Sequence, residues 1–330
     1  MGGLAAETLS YGYTDQRLPN TLNGLTGIVR NTDYLPAGEQ IRTTLGVSSS
    51  AKWTEVNNSY EDGTKCLVRQ SVISESHTGT DSDANYRYDQ AGNPLEVDER
   101  TTSPGDKQCF IYDGHRRLKS AWTATGDCTT TEPTKDKVGG PAPYWQSFTY
   151  DSASNRKTAT DQLANGGPAT TYTYKTADQP RPHVLSSTET KNASGSTVSN
   201  SSYTYDDAGN TQTRALNKQT QNLDWGLEGD LSMVTAVDKS TTSFLSDADG
   251  NRLIRRDATG TTLYLGETEL RLDKASSTVA VTRYYVHAEK AIAVRTPTGL
   301  TWIVSDHNGT GSAQIDATTQ ELSVTLMPVS

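Results

Sequence analysis

Tyr86-Arg87-Tyr88-Asp89-Gln90-Ala91-Gly92-Asn93 recurs as Tyr203-Thr204-Tyr205-Asp206-Asp207-Ala208-Gly209-Asn210. Between the two lies Phe148-Thr149-Tyr150-Asp151-Ser152-Ala153-Ser154-Asn155. Variants follow at Phe110-Ile111-Tyr112-Asp113 and at Phe244-Leu245-Ser246-Asp247-Ala248-Asp249-Gly250-Asn251, with weaker copies centred on Tyr13, Tyr34, Tyr60, Tyr174 and Trp225. The central aromatic repeats after 21 residues from Tyr13 to Tyr34, 24 from Tyr88 to Tyr112 and 20 from Tyr205 to Trp225. Self-similarity at a near-fixed period is the mark of a repeat architecture. The longer gap of 38 residues from Tyr112 to Tyr150 holds an insertion, Glu132 to Pro143, which reads as a surface loop.

Each unit reads as strand, turn, strand. Side chains alternate along a strand, so aromatic-x-aromatic places Tyr86 and Tyr88 on one face. Asp then opens the turn, because its side chain bonds backbone N–H groups two residues on, and Gly or Asn tolerates positive φ. A hairpin alone is marginal in water, so stacked hairpins must share stability along the array. The predicted fold is all-β, a continuous spiralling antiparallel ribbon of hairpins with almost no helix. The repeat tyrosines Tyr88, Tyr112, Tyr150 and Tyr205 are expected to be largely buried on the next hairpin, hydroxyls bonded. Asp89, Asp113, Asp151 and Asp206 are expected to accept turn N–H groups.

Composition agrees with a thin structure. Only 33% of the 330 residues are hydrophobic, yet 16 are tyrosine and five tryptophan, which argues against disorder. The net charge is -9, from 39 acidic and 30 basic residues, so nucleic acid is not an expected partner. No apolar run suggests membrane insertion by this segment. Met1-Gly2-Gly3-Leu4 lacks the pattern of a signal peptide and reads as the start of a fragment. Of Cys66, Cys109 and Cys128, no two have C-x-x-C spacing; the spacing leaves a Cys109–Cys128 pair and separate thiols equally open.

Tyr-Asp-x-x-Gly-Asn units at this spacing resemble the YD repeats of bacterial Rhs proteins, of teneurins and of the C component of insecticidal Tc toxins. The resemblance runs from about Leu9 to Thr325. Gly139-Gly140-Pro141-Ala142-Pro143-Tyr144-Trp145-Gln146-Ser147 and Thr262-Leu263-Tyr264-Leu265-Gly266-Glu267-Thr268-Glu269-Leu270 are similar to Rhs proteins of filamentous actinobacteria. The resemblance implies a β-ribbon wound into a shell of a secreted or cell-surface protein. In polymorphic toxins of this kind the shell encloses a C-terminal toxin domain. The expected partners are therefore the remainder of a parent Rhs protein and that toxin domain. The residues so assigned, as structural repeat signature, are Tyr88, Asp89, Gly92, Tyr112, Asp113, Tyr150, Asp151, Tyr205, Asp206, Gly209, Trp225, Asp247 and Gly250. Relatives typically carry both cysteines, which implies a Cys109–Cys128 disulfide.

Arg283-Tyr284-Tyr285 and Trp302-Ile303-Val304-Ser305-Asp306-His307-Asn308-Gly309-Thr310 resemble the start of the Rhs-associated core. The expected division is thus 1–281, the repeat array, and 282–330, the start of a truncated core-like region. The self-cleavage motif of that core does not follow; the chain reads to Pro328-Val329-Ser330 instead. Two repeats also depart from the pattern, with Lys175 after Tyr174 and Gly226 after Trp225 in the place of Asp.

No catalytic, cofactor or metal motif is found. H-E-x-x-H, G-x-S-x-G and the phosphate-binding glycine loops are absent. His307 beside Asp306 is read as a turn residue. Asp247-Ala248-Asp249-Gly250-Asn251 opens like a calcium loop, but position twelve is Ala258, not Glu. Glu267 and Glu269 could share a strand face, the minimum for glycosidase chemistry, but nothing supports it. No enzyme is expected. The rival to a shell is a carbohydrate-binding or adhesion module that presents exposed rings to a cell-surface glycan. Ring orientation separates the two.

Overall fold

In the computed structural model, the described residues are 2–46, 51–101, 105–129, 131–163, 167–176 and 178–324. Met1 and the last residues, Thr325 to Ser330, with Pro328 among them, lie outside these. The strands are β1 (Ser10–Tyr13), β2 (Pro19–Asn23), β3 (Gly27–Tyr34), β4 (Gln40–Leu45), β5 (Thr54–Tyr60), β6 (Leu67–Ser74), β7 (Ser82–Tyr88), β8 (Pro94–Glu99) and β9 (Asp106–Tyr112). Next come β10 (Leu118–Thr123), β11 (Trp145–Tyr150), β12 (Arg156–Asp161), β13 (Ala169–Tyr174), β14 (Leu185–Lys191), β15 (Thr197–Tyr205), β16 (Thr211–Leu216), β17 (Gln219–Trp225) and β18 (Leu231–Thr235). The last are β19 (Thr241–Ser246), β20 (Arg252–Arg256), β21 (Gly260–Leu265), β22 (Thr268–Asp273), β23 (Val279–His287), β24 (Lys290–Thr296), β25 (Gly299–Ser305), β26 (Gly311–Asp316) and β27 (Leu322–Val324). Every strand pairs antiparallel with the next, so the chain is one uninterrupted meander of 27 strands. The one helical element among the described residues is a single 3₁₀ turn at Lys135–Lys137, inside the predicted insertion. No described helix is long and apolar enough to cross a membrane.

The turns explain why this polar chain makes hairpins. In Asp89-Gln90-Ala91-Gly92-Asn93 the Asp89 N–H donates to the Asn93 carbonyl at 2.9 Å and Gly92 N–H returns to the Asp89 carbonyl at 3.1 Å. The residue three after the acid takes a positive φ, +85° at Gly92, +94° at Gly209 and +81° at Gly250. There an L side chain is strained and glycine is not. Arg116 and Ser154 hold the same position at +62° and +69°. The register slips at the closing aromatic of these hairpins, a bulge the sequence does not announce. Tyr88 faces Pro94, with Arg87 already opposite Glu96, so Leu95 is the extra residue.

The core is not where a thin ribbon would put it. The meander curls until its last strands lie face to face on its first. Leu22, Ile28, Val29, Leu45 and Val72 from one layer pack with Tyr285, Leu300, Trp302, Val304 and Ile315 from the other. Polar contacts stitch the seam. Thr32 Oγ1 bonds His287 Nε2 at 2.9 Å, Arg295 Nη2 donates to Thr26 Oγ1 at 2.8 Å and Lys52 N–H donates to the Ala317 carbonyl at 2.7 Å. Gln320 accepts the Ser76 N–H at 3.0 Å. Contact between neighbouring repeats alone, the sequence expectation, therefore describes the middle of the chain and not its ends. The boundary expected at residue 282 falls inside β23, which carries the ladder through unbroken.

A second, small core sits under the insertion. Cys109 and Cys128 are bonded, with Cα atoms 5.4 Å apart, and pack with Trp122, Ala124, Val138 and Trp145. Cys66 is a free thiol.

Candidate functional site

The repeat residues form one continuous device along the ribbon. From β3 to β17, each aromatic that closes an odd-numbered strand reaches back to the preceding hairpin. The hydroxyls of Tyr34, Tyr60, Tyr88, Tyr112, Tyr150, Tyr174 and Tyr205 donate to the carbonyls of Pro19, Gln40, Leu67, Pro94, Leu118, Arg156 and Leu185 at 2.5–3.0 Å. Trp225 continues the series through its indole Nε1, 2.8 Å from the Thr211 carbonyl. Every acceptor is the first residue of a returning strand. The reason is local: β6 and β7 stay paired only as far as Arg69 opposite Asn85, two residues short of Leu67. Bulges of this kind bend a strand and open its pairing, and the ring bridges the opening. The series stops at Ser246, where β19 ends without an aromatic.

The rings are partly exposed rather than fully buried. The thin middle of the ribbon has no second layer to seal them. Burial still pushes the phenols of Tyr88 and Tyr112 up to about 12. Tyr13, the weak copy near the start, is exposed. Guanidinium groups cover several rings: Arg117 lies 4.5 Å from the Tyr150 centroid, Arg156 4.6 Å from Phe148 and Arg252 4.5 Å from Phe244.

The repeat acids are all engaged in their own turns. Asp89 Oδ1 accepts the Ala91 and Asn93 N–H groups at 2.8 and 2.9 Å. Asp151 does the same with Ala153 and Asn155, and Asp247 with Asp249 and Asn251. Asp206 accepts the Asn210 N–H at 2.9 Å. Asp113 adds an ion pair, with Arg117 Nε and Nη2 at 2.7 and 2.6 Å from its Oδ2. The Arg117 bond, opposed by desolvation and helped by the turn N–H groups, holds the Asp113 carboxyl at about 2. Where Asp is missing the turn still closes through backbone: Gly226 N–H donates to the Asp230 carbonyl at 2.8 Å. After Tyr174 a wider loop runs from Lys175, whose N–H reaches the Val184 carbonyl at 3.1 Å.

Among the described residues no set of three His, Cys, Asp or Glu is placed to hold a metal ion. The Asp247 carboxylate is turned into its own turn. Glu267 lies in the β21–β22 turn and Glu269 in β22, so they do not share a strand face. His307 sits in the Asp306 turn with its ring 5.0 Å from Tyr86.

Sequence reasoning missed a clamp at the seam. Glu7, its carboxylate all but sealed from solvent, accepts from Arg283, from the Tyr285 hydroxyl at 2.8 Å and from the Leu25 N–H at 2.6 Å. Arg295 Nε then donates to the Tyr285 oxygen at 2.7 Å. Burial raises the Glu7 pKa, but the Leu25, Tyr285 and Arg283 bonds together hold it below the ordinary carboxylate value. The available signal was compositional. Val279 to Val304 alternates Val, Ile, Leu and Trp with polar residues more richly than the repeats before it, the mark of a face with something to cover.

No family model matches the chain, and no curated protein matches it in sequence. Solved structures do. A chain of the Photorhabdus luminescens Tc holotoxin pore matches with a TM-score of 0.72 at 18% identity, over 95% of this chain and 16% of that one. A chain of the TcdB2–TccC3–Cdc42 structure matches with a TM-score of 0.60 at 16% identity, over 95% and 16%. TcdB2–TccC3 without its hypervariable C-terminal region gives 0.61 at 16% identity, over 96% and 16%. This chain thus spans about a sixth of the length of those it matches. At these identities the likeness establishes the fold, which is that of the Rhs/YD-repeat shell.

Proposed function

From a fold shared with the YD-repeat shells of Tc toxins, we propose that this chain is a wall segment of a larger Rhs-type shell. It serves structure rather than catalysis, and with the rest of its parent protein it encloses or presents a C-terminal effector. The placement of the product is outside the cell or on its surface. On this reading residues 1–281 are the repeat array and 282–330 the start of the core-like end, a division of motif rather than of fold.

The observation that carries the proposal is the orientation of the rings. A shell wall uses its aromatics to bind hairpin to hairpin; a glycan-binding module leaves several together and exposed on a concave face. Eight successive rings, Tyr34 to Trp225, spend their polar atom on the adjacent hairpin. No observation favours the carbohydrate reading over this.

The test is protection. In the longer polypeptide that contains this chain, limited proteolysis should spare the segment that follows the shell, and Tyr150→Phe with Tyr205→Phe should expose it at lower denaturant. If the same double variant keeps its unfolding midpoint and instead loses binding on a glycan array, the adhesion reading replaces the shell.

A further inference from the structure

One of the five histidines is buried where the two layers meet. His287, the last residue of β23, is 3% exposed. Its Nε2 bonds the Thr32 hydroxyl at 2.9 Å and so joins β23 to β3 across 255 residues. Its Nδ1 is buried and has no hydrogen-bond partner among the described residues. The ring borders a cavity of about 50 Å³, with Gln40, Asn58, Gln70 and Lys290 among its walls. Nδ1 exposes almost no surface to that space, so a water there cannot serve it.

Among the described residues no carboxylate lines this cavity. Side chains alternate along each strand. Thr43, Val56 and Gln70 face the cavity, so Arg42, Glu55 and Arg69 beside them turn to the opposite face. Asp33, next to Thr32, pairs with Arg42 there. Glu39 lies beside Tyr60, and Arg30 and Glu289 are exposed. Arg283 and Arg295 are bound around Glu7 and Tyr285, and Asp306 lines a separate cavity at Tyr86. The charged neighbour that does face His287 is Lys290, directly opposite it across the β23–β24 hairpin and bordering the same space.

A protonated imidazole carries a charge and two N–H donors. In the closed seam Thr32 serves one of them; the other would be buried unpaired, close to an ammonium of like sign. Both effects cost free energy. Once the layers part, water serves both nitrogens. Burial accordingly holds the His287 pKa below its ordinary value. Parting need not break a ladder, because β3 is paired to β2 and β4 in its own layer, and β23 to β22 and β24 in the other. We propose that the seam carries an acid latch: neutral His287 holds β23 on β3, and its protonation in mild acid parts the two layers while the middle of the ribbon stays paired. The latch goes beyond the wall reading and does not depend on it.

The test is hydrogen exchange on the full chain between pH 7 and pH 5.5, read as protection factors so that the intrinsic pH dependence drops out. The reporters are N–H groups that donate across the seam, Lys52 to the Ala317 carbonyl, Ser76 to Gln320 Oε1 and the Trp302 indole to the Lys52 carbonyl. The closed seam binds fewer protons than the open one, so closure weakens as pH falls below about 6.5. Protection of the reporters should fall about eightfold over this range, the value for one proton taken up only in the open state. The amides of Tyr172 and Leu223, in β13 and β17, should not change. His287→Gln keeps an amide within reach of Thr32 and does not titrate, so its reporters should be less protected at pH 7 but flat over the same range. Every other group titrates in both chains, so the difference reads His287 alone. The proposal is overturned if the parent's reporters hold their protection to pH 5.5, if Tyr172 and Leu223 lose theirs equally, or if His287→Gln falls as the parent does. Should the variant not fold, an NMR titration of the parent's imidazoles decides. A His287 ring that stays neutral until the reporters open supports the latch; one that protonates near its ordinary value while they stay protected rejects it.

Discussion

Trp302→Ala puts the seam to the test. The ring is 0% exposed, lies among the side chains where the last strands cover the first, and its Nε1 is 3.3 Å from the Lys52 carbonyl. Truncating so large a buried ring costs about 3–5 kcal/mol, since both transfer energy and a cavity are involved. For 330 residues the unfolding entropy is ~0.7 kcal/mol/K near the midpoint, so the cost corresponds to about 4–7 °C if the chain unfolds as one unit. The control is Leu227→Ala, at a fully exposed turn residue, expected within ~0.5 kcal/mol of the parent. Circular dichroism should follow the midpoint, because the substitution removes one of five tryptophans and disturbs fluorescence. Hydrogen exchange should then locate the damage, with the amides of Ile28 and Val29 opening and those of β13 to β17 unchanged. If Trp302→Ala melts with Leu227→Ala, or if exchange quickens along the whole ribbon alike, the seam is not the core.

Tyr205→Phe removes one hydroxyl from the ladder and leaves the Leu185 carbonyl without it; the expected loss is about 1 kcal/mol, read as an unfolding midpoint. Tyr205→Ala should cost about 2 kcal/mol rather than the ~3–5 of a fully buried ring, because this ring is half-buried. Reducing Cys109–Cys128, separated by 19 residues, should cost about 3 kcal/mol, with thiol titration rising from one free group to three. The pH response has a definite sign. His287 is buried and His307 half-buried, both with pKa values lowered by that burial, so the stability they contribute is complete above about 6.5 and lost as pH falls below it. Glu7 and Asp113, also lowered, hold theirs above about 4.5 and lose it on further acidification, while Asp106 runs the other way. A midpoint that rises steadily from pH 7 to pH 4 would contradict these assignments.

What could be read in the sequence was local. Asp89 and Gly92 announce a turn because the side chain that closes it and the backbone that tolerates it lie three residues apart. Tyr88 announces a strand face, though not its acceptor, since Leu67 belongs to another hairpin and becomes available only through a bulge that no residue type specifies. The seam was illegible for a different reason. Glu7 and Tyr285 are 278 positions apart, and no periodicity links an isolated acid near the start to a tyrosine near the end. Glu99 and Asp106 become like-charged cross-strand neighbours only through the register of β8 against β9, which no residue type announces.

The backward reach of the ladder gives the chain a direction during synthesis. Each ring docks on a hairpin already made, with the acceptor 14–32 residues upstream in the series from Tyr34 to Trp225. The array can therefore be assembled as it leaves the ribosome, one hairpin at a time. The seam cannot. Thr32 must wait for His287, 255 residues later, which at ~5–20 residues per second is roughly 10–50 s. For that interval the apolar faces of Leu22, Ile28 and Val29 stand without their cover. Nascent chains arrested before β23 should be open to protease at β2 and β3, and chains arrested after β26 closed.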